Sequence, residues 1–187
     1  MTKASTRTGK VEAEFKAAIR KVPDFPKKGI MFRDITTLWK DGRLLRKCTD
    51  VLYGRYKNKK IDAVLGIEAR GFVVGATLAE RLRVGFIPLR KMGKLPGEKI
   101  SESYDLEYGT ATLEIHRDAI EKGERILIVD DLIATGGTAL AAAKLVEVLG
   151  GKVVGFAFIV ELSALRGRDA LKGHDVYSIV KYVSEGE

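Results

Sequence analysis

One cysteine, four prolines, two histidines and a 7% aromatic share leave this chain of 187 residues poor in several chemistries. Cys48 alone cannot close a disulfide within the chain, which fits a reducing setting. It lies in a charged stretch with helical spacing and reads as structural. His116 and His174 stand too far apart to suggest a metal pair, and with one cysteine no zinc site is readable. No Ser-His-Asp arrangement is apparent. No apolar run approaches the ~18–20 residues that cross a bilayer, so no membrane partner is expected. Met1 to Lys10 is polar and lacks the apolar core of a signal peptide, and a cytoplasmic location is the expectation. The Walker A and Gly-x-Gly-x-x-Gly phosphate patterns are both missing.

What is present is ordinary in bulk: 45% hydrophobic and 31% charged residues, with a formal net charge of +8. The length suits one domain, residues 1–187. The cations form no single block and no RNA-binding aromatic motif appears. A small polyanionic substrate therefore accounts for the charge better than nucleic acid, and no nucleic-acid partner is expected.

Apolar spacing predicts helices over 11–22, 42–57, 71–82 and 137–149. Short apolar runs predict strands over 61–67, 84–89, 125–131, 153–160 and 176–182, with an alternating strand over 106–115. Residues 163–172 read as a short helix or cap. The first ten residues read as a disordered extension. Residues 91–105 are rich in Lys, Gly, Pro, Glu and Ser, which suits a mobile loop. Strands alternating with helices imply an α/β fold with a mainly parallel sheet, and ligands then sit at the carboxyl ends of its strands.

Residues 126–138, Ile-Leu-Ile-Val-Asp-Asp-Leu-Ile-Ala-Thr-Gly-Gly-Thr, carry the strongest signal. A buried strand ends in two carboxylates, Asp130 and Asp131, and a loop of small and hydroxyl residues enters a helix. Such a loop offers unpaired N–H groups and the positive end of a helix dipole, which suit a phosphate. Acids beside it would repel bare phosphate. They make sense if the ligand also carries hydroxyls, a metal ion or developing positive charge, as a sugar phosphate reacting at its anomeric carbon does.

Gly66-Ile67-Glu68-Ala69-Arg70-Gly71-Phe72 is a second strand-to-helix turn. Alone it reads as an ordinary turn with a surface ion pair or as an anion cradle gripped by Arg70. Two such loops in one small domain favour the cradle. Arg90-Lys91-Met92-Gly93-Lys94-Leu95-Pro96-Gly97 is either a solvated charged loop or a lid whose cations meet the ligand. Ser103-Tyr104-Asp105-Leu106-Glu107-Tyr108-Gly109 is either an exposed strand face or a site block containing a proton-handling carboxylate. In Pro26 to Thr36, Ile30 and Phe32 pin a loop to the core or Phe32 stacks on a planar ligand.

The block 126–138 resembles the phosphoribosyl-pyrophosphate motif of type I phosphoribosyltransferases. The stretches 26–36, 90–97 and 103–109 are similar to those of adenine phosphoribosyltransferases, and the resemblance spans roughly residues 11–180. It implies the type I phosphoribosyltransferase fold, with a central mainly parallel sheet flanked by helices, a small base-binding hood over 23–40 and a flexible lid over 91–107. It implies conversion of adenine and 5-phosphoribosyl 1-pyrophosphate to AMP and pyrophosphate. In it, Ala134, Thr135, Gly136, Gly137 and Thr138 bind the 5′-phosphate, and Asp130 and Asp131 hold the ribose hydroxyls. Glu68, Ala69 and Arg70 bind pyrophosphate through a loop with a cis bond, here Glu68–Ala69. Arg90, Lys91 and Lys94 supply lid cations, some reaching a neighbouring subunit, so a homodimer is implied. Met31, Phe32 and Arg33 bind the base, and Glu107 and Arg70 are the catalytic residues. Mg²⁺ is the implied cofactor, held mainly through substrate, with Asp130 and Asp131 as candidate ligands. The open alternatives are a hypoxanthine or xanthine enzyme and a phosphoribosyl-pyrophosphate-sensing regulator that binds nucleic acid.

Overall fold

A computed structural model describes residues 3–105 and 110–184. A seven-stranded sheet runs through the molecule. Its members are β3 (Ala63–Ile67), β4 (Gly85–Lys91), β5 (Lys99–Asp105), β6 (Thr110–His116), β7 (Arg125–Ile133), β8 (Lys152–Leu162) and β9 (Val176–Tyr182). Their order is β5-β6-β4-β3-β7-β8-β9. The run β4-β3-β7-β8-β9 is parallel, while β6 joins β4 and β5 in antiparallel fashion. Every residue of β3 is buried, as expected for a central parallel strand covered on both faces.

One face is covered by α1 (Lys3–Ala18), α2 (Thr36–Lys40), α3 (Gly42–Tyr56) and α4 (Arg70–Leu82), whose apolar side chains join one core. The other face carries α5 (Gly137–Val148). Four buried alanines on α5 let its backbone approach the sheet closely. Asp41 caps α3, its side chain accepting from the N–H groups of Arg43 and Leu44 at 2.8 and 3.2 Å. No helix among the described residues is long and apolar enough to cross a membrane.

Three expectations need correction. The extension is helical from Lys3, because residues 3–10 contain no proline and continue the turn pattern of a helix anchored by the buried Phe15. The expected helix end at 20–22 is instead β1 (Arg20–Val22), paired with β2 (Phe32–Asp34). Pro23 disfavours helical backbone at Val22, and the pairing with β2 supplies the missing hydrogen bonds. Within the expected mobile loop, Lys99–Asp105 forms β5, paired along its length with β6.

Candidate functional site

The informative loops meet at the carboxyl ends of β3 and β7, which are neighbours. The two loops line one cavity of about 630 Å³, with Glu68, Ala69 and Arg70 on one side and Ala134, Thr135, Gly136 and Thr138 on the other. Asp130 and Asp131 line it between them. Gly71 makes this convergence possible: a Cβ there would lie 2.9 Å from both an Asp130 carboxylate oxygen and the Val129 carbonyl. The start of α4 can therefore rest directly on the end of β7.

The loop into α5 turns at Gly136, whose φ of +86° suits glycine, and Gly137 opens the helix. The first turn of α5 presents N–H groups without helical partners toward the cavity, a cradle for an anion.

The acidic pair has an asymmetric setting. Asp131 is buried, its Oδ2 lies 3.0 Å from Arg70 Nε, and its own N–H donates to Asp130 Oδ1 at 2.8 Å. Burial, and then the adjacent Asp131 charge, push the Asp130 carboxyl well above the usual carboxylate range. Burial raises Asp131 as well, against the pull of Arg70. Asp131 Oδ2 is ion-paired with Arg70 but accepts no well-directed hydrogen bond, so it keeps acceptor capacity for a ligand hydroxyl or a cation. No group of three or more metal-capable side chains exists among the described residues, so a divalent ion would need most of its ligands from a bound substrate.

The second loop is organised around Glu68. Its peptide bond to Ala69 is cis, as the family resemblance implies. The Glu68 carboxylate accepts from Lys91 N–H at 2.9 Å, Lys94 Nζ at 3.0 Å, and Arg90 Nε and Nη2 at 3.3 Å. Burial alone would raise its pKa, but the Lys91 amide and the Arg90 and Lys94 cations outweigh this and bring it to about 2. Lys91 lines the cavity, whereas Arg90 and Lys94 turn to Glu68. Glu114 accepts from the Gly93 N–H at 3.1 Å and pairs with Lys99 at 3.4 Å, and Leu95 is buried. Two buried carboxylates thus fasten a segment whose composition suggests a free loop.

Two of the candidate base-binding residues, Met31 and Arg33, line a second, smaller cavity of about 120 Å³, whereas Phe32 lines neither cavity. Met31 and Arg33 line one wall with Gly29 and Ile30, while Leu162, Ala164, Leu165 and Tyr182 line the other. Phe32 meets Phe25 edge-on at 5.1 Å, and the Arg70 guanidinium stands 5.3 Å from its ring centre. Arg70 therefore touches the acidic pair and the aromatic platform together. The Arg33 side chain is buried against Tyr182, 4.2 Å from the ring centre. Glu107 lies outside the described residues.

Sequence reasoning missed Tyr104 on the cavity wall, the apolar wall at 162–165, and Tyr182. Tyr104 sat in a block already singled out. The remaining residues carry no local motif and reach the site only through the strand order.

The Phosphoribosyl transferase domain family matches residues 35–185. The chain is 58% identical over 167 residues to an adenine phosphoribosyltransferase of Clostridium perfringens, covering 89% of this chain and 97% of that one. It is 52% identical over 179 residues to one of Koribacter versatilis, covering 96% and 98%. Among solved structures, adenine phosphoribosyltransferase from Thermoanaerobacter pseudethanolicus aligns with a TM-score of 0.89 at 52% identity, over 91% of this chain and 99% of that one. The enzyme from Saccharomyces cerevisiae, complexed with adenine and an imino-altritol bisphosphate, aligns at 0.85 and 41% identity, over 91% and 99%.

Proposed function

The chain belongs to the phosphoribosyl transferase domain family, and from that premise we infer that it is an adenine phosphoribosyltransferase of purine salvage. Adenine and 5-phosphoribosyl 1-pyrophosphate become AMP and pyrophosphate, with inversion at the anomeric carbon. The observation that carries this reading is the single cavity flanked by two strand-end loops with an acidic pair between them.

The α5 cradle, residues 134–138, holds the 5′-phosphate through N–H groups and the Thr135 and Thr138 hydroxyls. Asp130 and Asp131 accept from the ribose 2′- and 3′-hydroxyls. As the anomeric C–O bond breaks, positive charge grows on the ribosyl carbon, and the nearby acids face it. Negative charge grows on the leaving pyrophosphate, which Arg70, Lys91 and, once released from Glu68, Arg90 and Lys94 meet. Phe32 stacks on the adenine and the backbones of Met31 and Arg33 read its edge, within a hood formed by residues 23–40. Glu107 manages the proton of the purine ring. Mg²⁺ bound with phosphoribosyl pyrophosphate would neutralise the leaving charge, with Asp130 and Asp131 as its protein contacts. The cation-bearing turn ahead of β5, residues 91–98, acts as the lid, and its cations favour a homodimer in which a neighbour completes each site. A cytoplasmic location accords with a substrate made and used inside the cell.

A spectrophotometric base panel with phosphoribosyl pyrophosphate and Mg²⁺ tests the reading. Turnover with adenine is expected. Turnover only with hypoxanthine or xanthine would move the specificity. No turnover with any base, together with nucleic-acid binding that weakens steeply with salt, would favour the regulator. Sedimentation at micromolar concentration tests the dimer.

A further inference from the structure

Behind the phosphate cradle lies a short segment, Ser163–Leu165 as a 3₁₀ turn followed by α6 (Gly167–Ala170). It lines the smaller cavity and packs behind the loop that lines the larger one. Ala164 and Leu165 line the base-side cavity, and two residues later Gly167 is pressed against the cradle. A Cβ on Gly167 would collide with the Ala134 carbonyl oxygen and lie 2.8 Å from Ile133 Cγ1. A Cβ on Gly136 would collide in turn with the Gly167 carbonyl oxygen and lie 3.0 Å from the Ala170 methyl. The two backbones therefore interlock at a pair of glycines with no room for a methyl group.

The segment is itself fixed. Arg168 donates to both Glu161 oxygens, at 2.8 and 2.7 Å, and to the Val176 carbonyl at 2.8 Å. Glu161 is buried while Arg168 is half-buried, and the two-pronged pair ties the segment to β8 and to the start of β9. Leu171 anchors the far end in the core. Arg166 stands at a left-handed φ of 54°, so the chain bends sharply between the two contacts.

We propose that residues 163–171 form a rigid strut that sets the separation of the base pocket and the 5′-phosphate cradle, with Gly167, Arg168 and Glu161 as positioning residues. This rests on the function proposed above. A nucleotide must reach both pockets at one fixed span, whereas adenine or ribose 5-phosphate fills only one. A shifted strut penalises the spanning ligand beyond the sum of its parts.

The test is calorimetric binding of adenine, ribose 5-phosphate and AMP to the full chain and to Gly167→Ala, with melting curves to check folding. AMP affinity should fall at least about tenfold more than the product of the losses for the two fragments, given the steep cost of small misplacements. Losses that multiply without remainder would reduce the segment to a passive support and overturn the proposal, as would unchanged AMP binding. Arg168→Lys, which keeps the charge but not the fork, should show the same excess loss in smaller measure and carries the test if Gly167→Ala does not fold. Failure of the unaltered chain to bind AMP would instead sink the proposed function.

Discussion

The two loops that face the cavity are built on opposite plans. The cradle at 134–138 has no ionisable side chain, and works through backbone N–H groups in a shape fixed by glycines. The loop at 68–70 works through side-chain charge, and each of its partners is already matched: Arg70 with Asp131, and Arg90 and Lys94 with Glu68. One loop is specified by geometry and the other by electrostatics. The first should be intolerant of added volume and indifferent to pH; the second should tolerate isosteres and respond to charge.

The largest break in this contrast is Gly136→Ala. Its methyl would strike the Gly167 carbonyl at a backbone angle that disfavours side chains, so kcat/KM for phosphoribosyl pyrophosphate should drop by about 10²-fold or more. Near-normal kinetics would show that the interlock does not shape the cradle.

Next comes Asp130→Asn, which keeps the acceptor for the Asp131 N–H while removing a charge. Activity should fall by about 10²-fold, the scale of one lost electrostatic contact in a transition state. Stability should move the other way. The Asp130 pKa is raised on folding, so the native state holds a proton that the unfolded chain releases, and native stability declines as pH rises through that interval. The variant should melt higher than the parent at pH 8, with the gain shrinking toward pH 4. Parallel melting curves across pH would refute the assignment.

Glu68→Gln should have a smaller effect, changing kcat/KM by about tenfold, the scale of one charged hydrogen bond. Its pH signature has the opposite sign. The Glu68 pKa falls from 4.5 to about 2 on folding, so its contribution is complete above 4.5 and is lost as pH drops toward 2. The parent should therefore lose more of its melting temperature between pH 5 and 2.5 than the variant does. Smallest is Lys144→Met, which removes an exposed pair with Glu102, for which urea unfolding should register within about 0.5 kcal/mol of the parent.

Legibility in the sequence followed locality. Asp130, Asp131 and residues 134–138 lie on one continuous strand–loop–helix block, and β7 and α5 fall within two residues of the expected bounds. β5 was hidden because Lys-Ile-Ser-Glu-Ser-Tyr-Asp has few apolar residues and earns its hydrogen bonds from β6. The catch at Glu68 was hidden because its partners lie 22 to 26 positions away. The far wall of the base-side cavity comes from residues more than 125 positions beyond Met31, brought there by β8 and β9.

Local chemistry alone determined the alternation of strands and helices, the phosphate cradle and the acidic pair, because each is written in consecutive residues whose backbone preferences agree. Sheet order decided the rest. It set β3 beside β7 so that two loops share one cavity, brought Glu68 against Arg90 and Lys94, and wedged Gly167 beneath Ala134. Such contacts depend on which segments lie adjacent after folding, and burial and steric fit select that adjacency over distances that local periodicity does not encode.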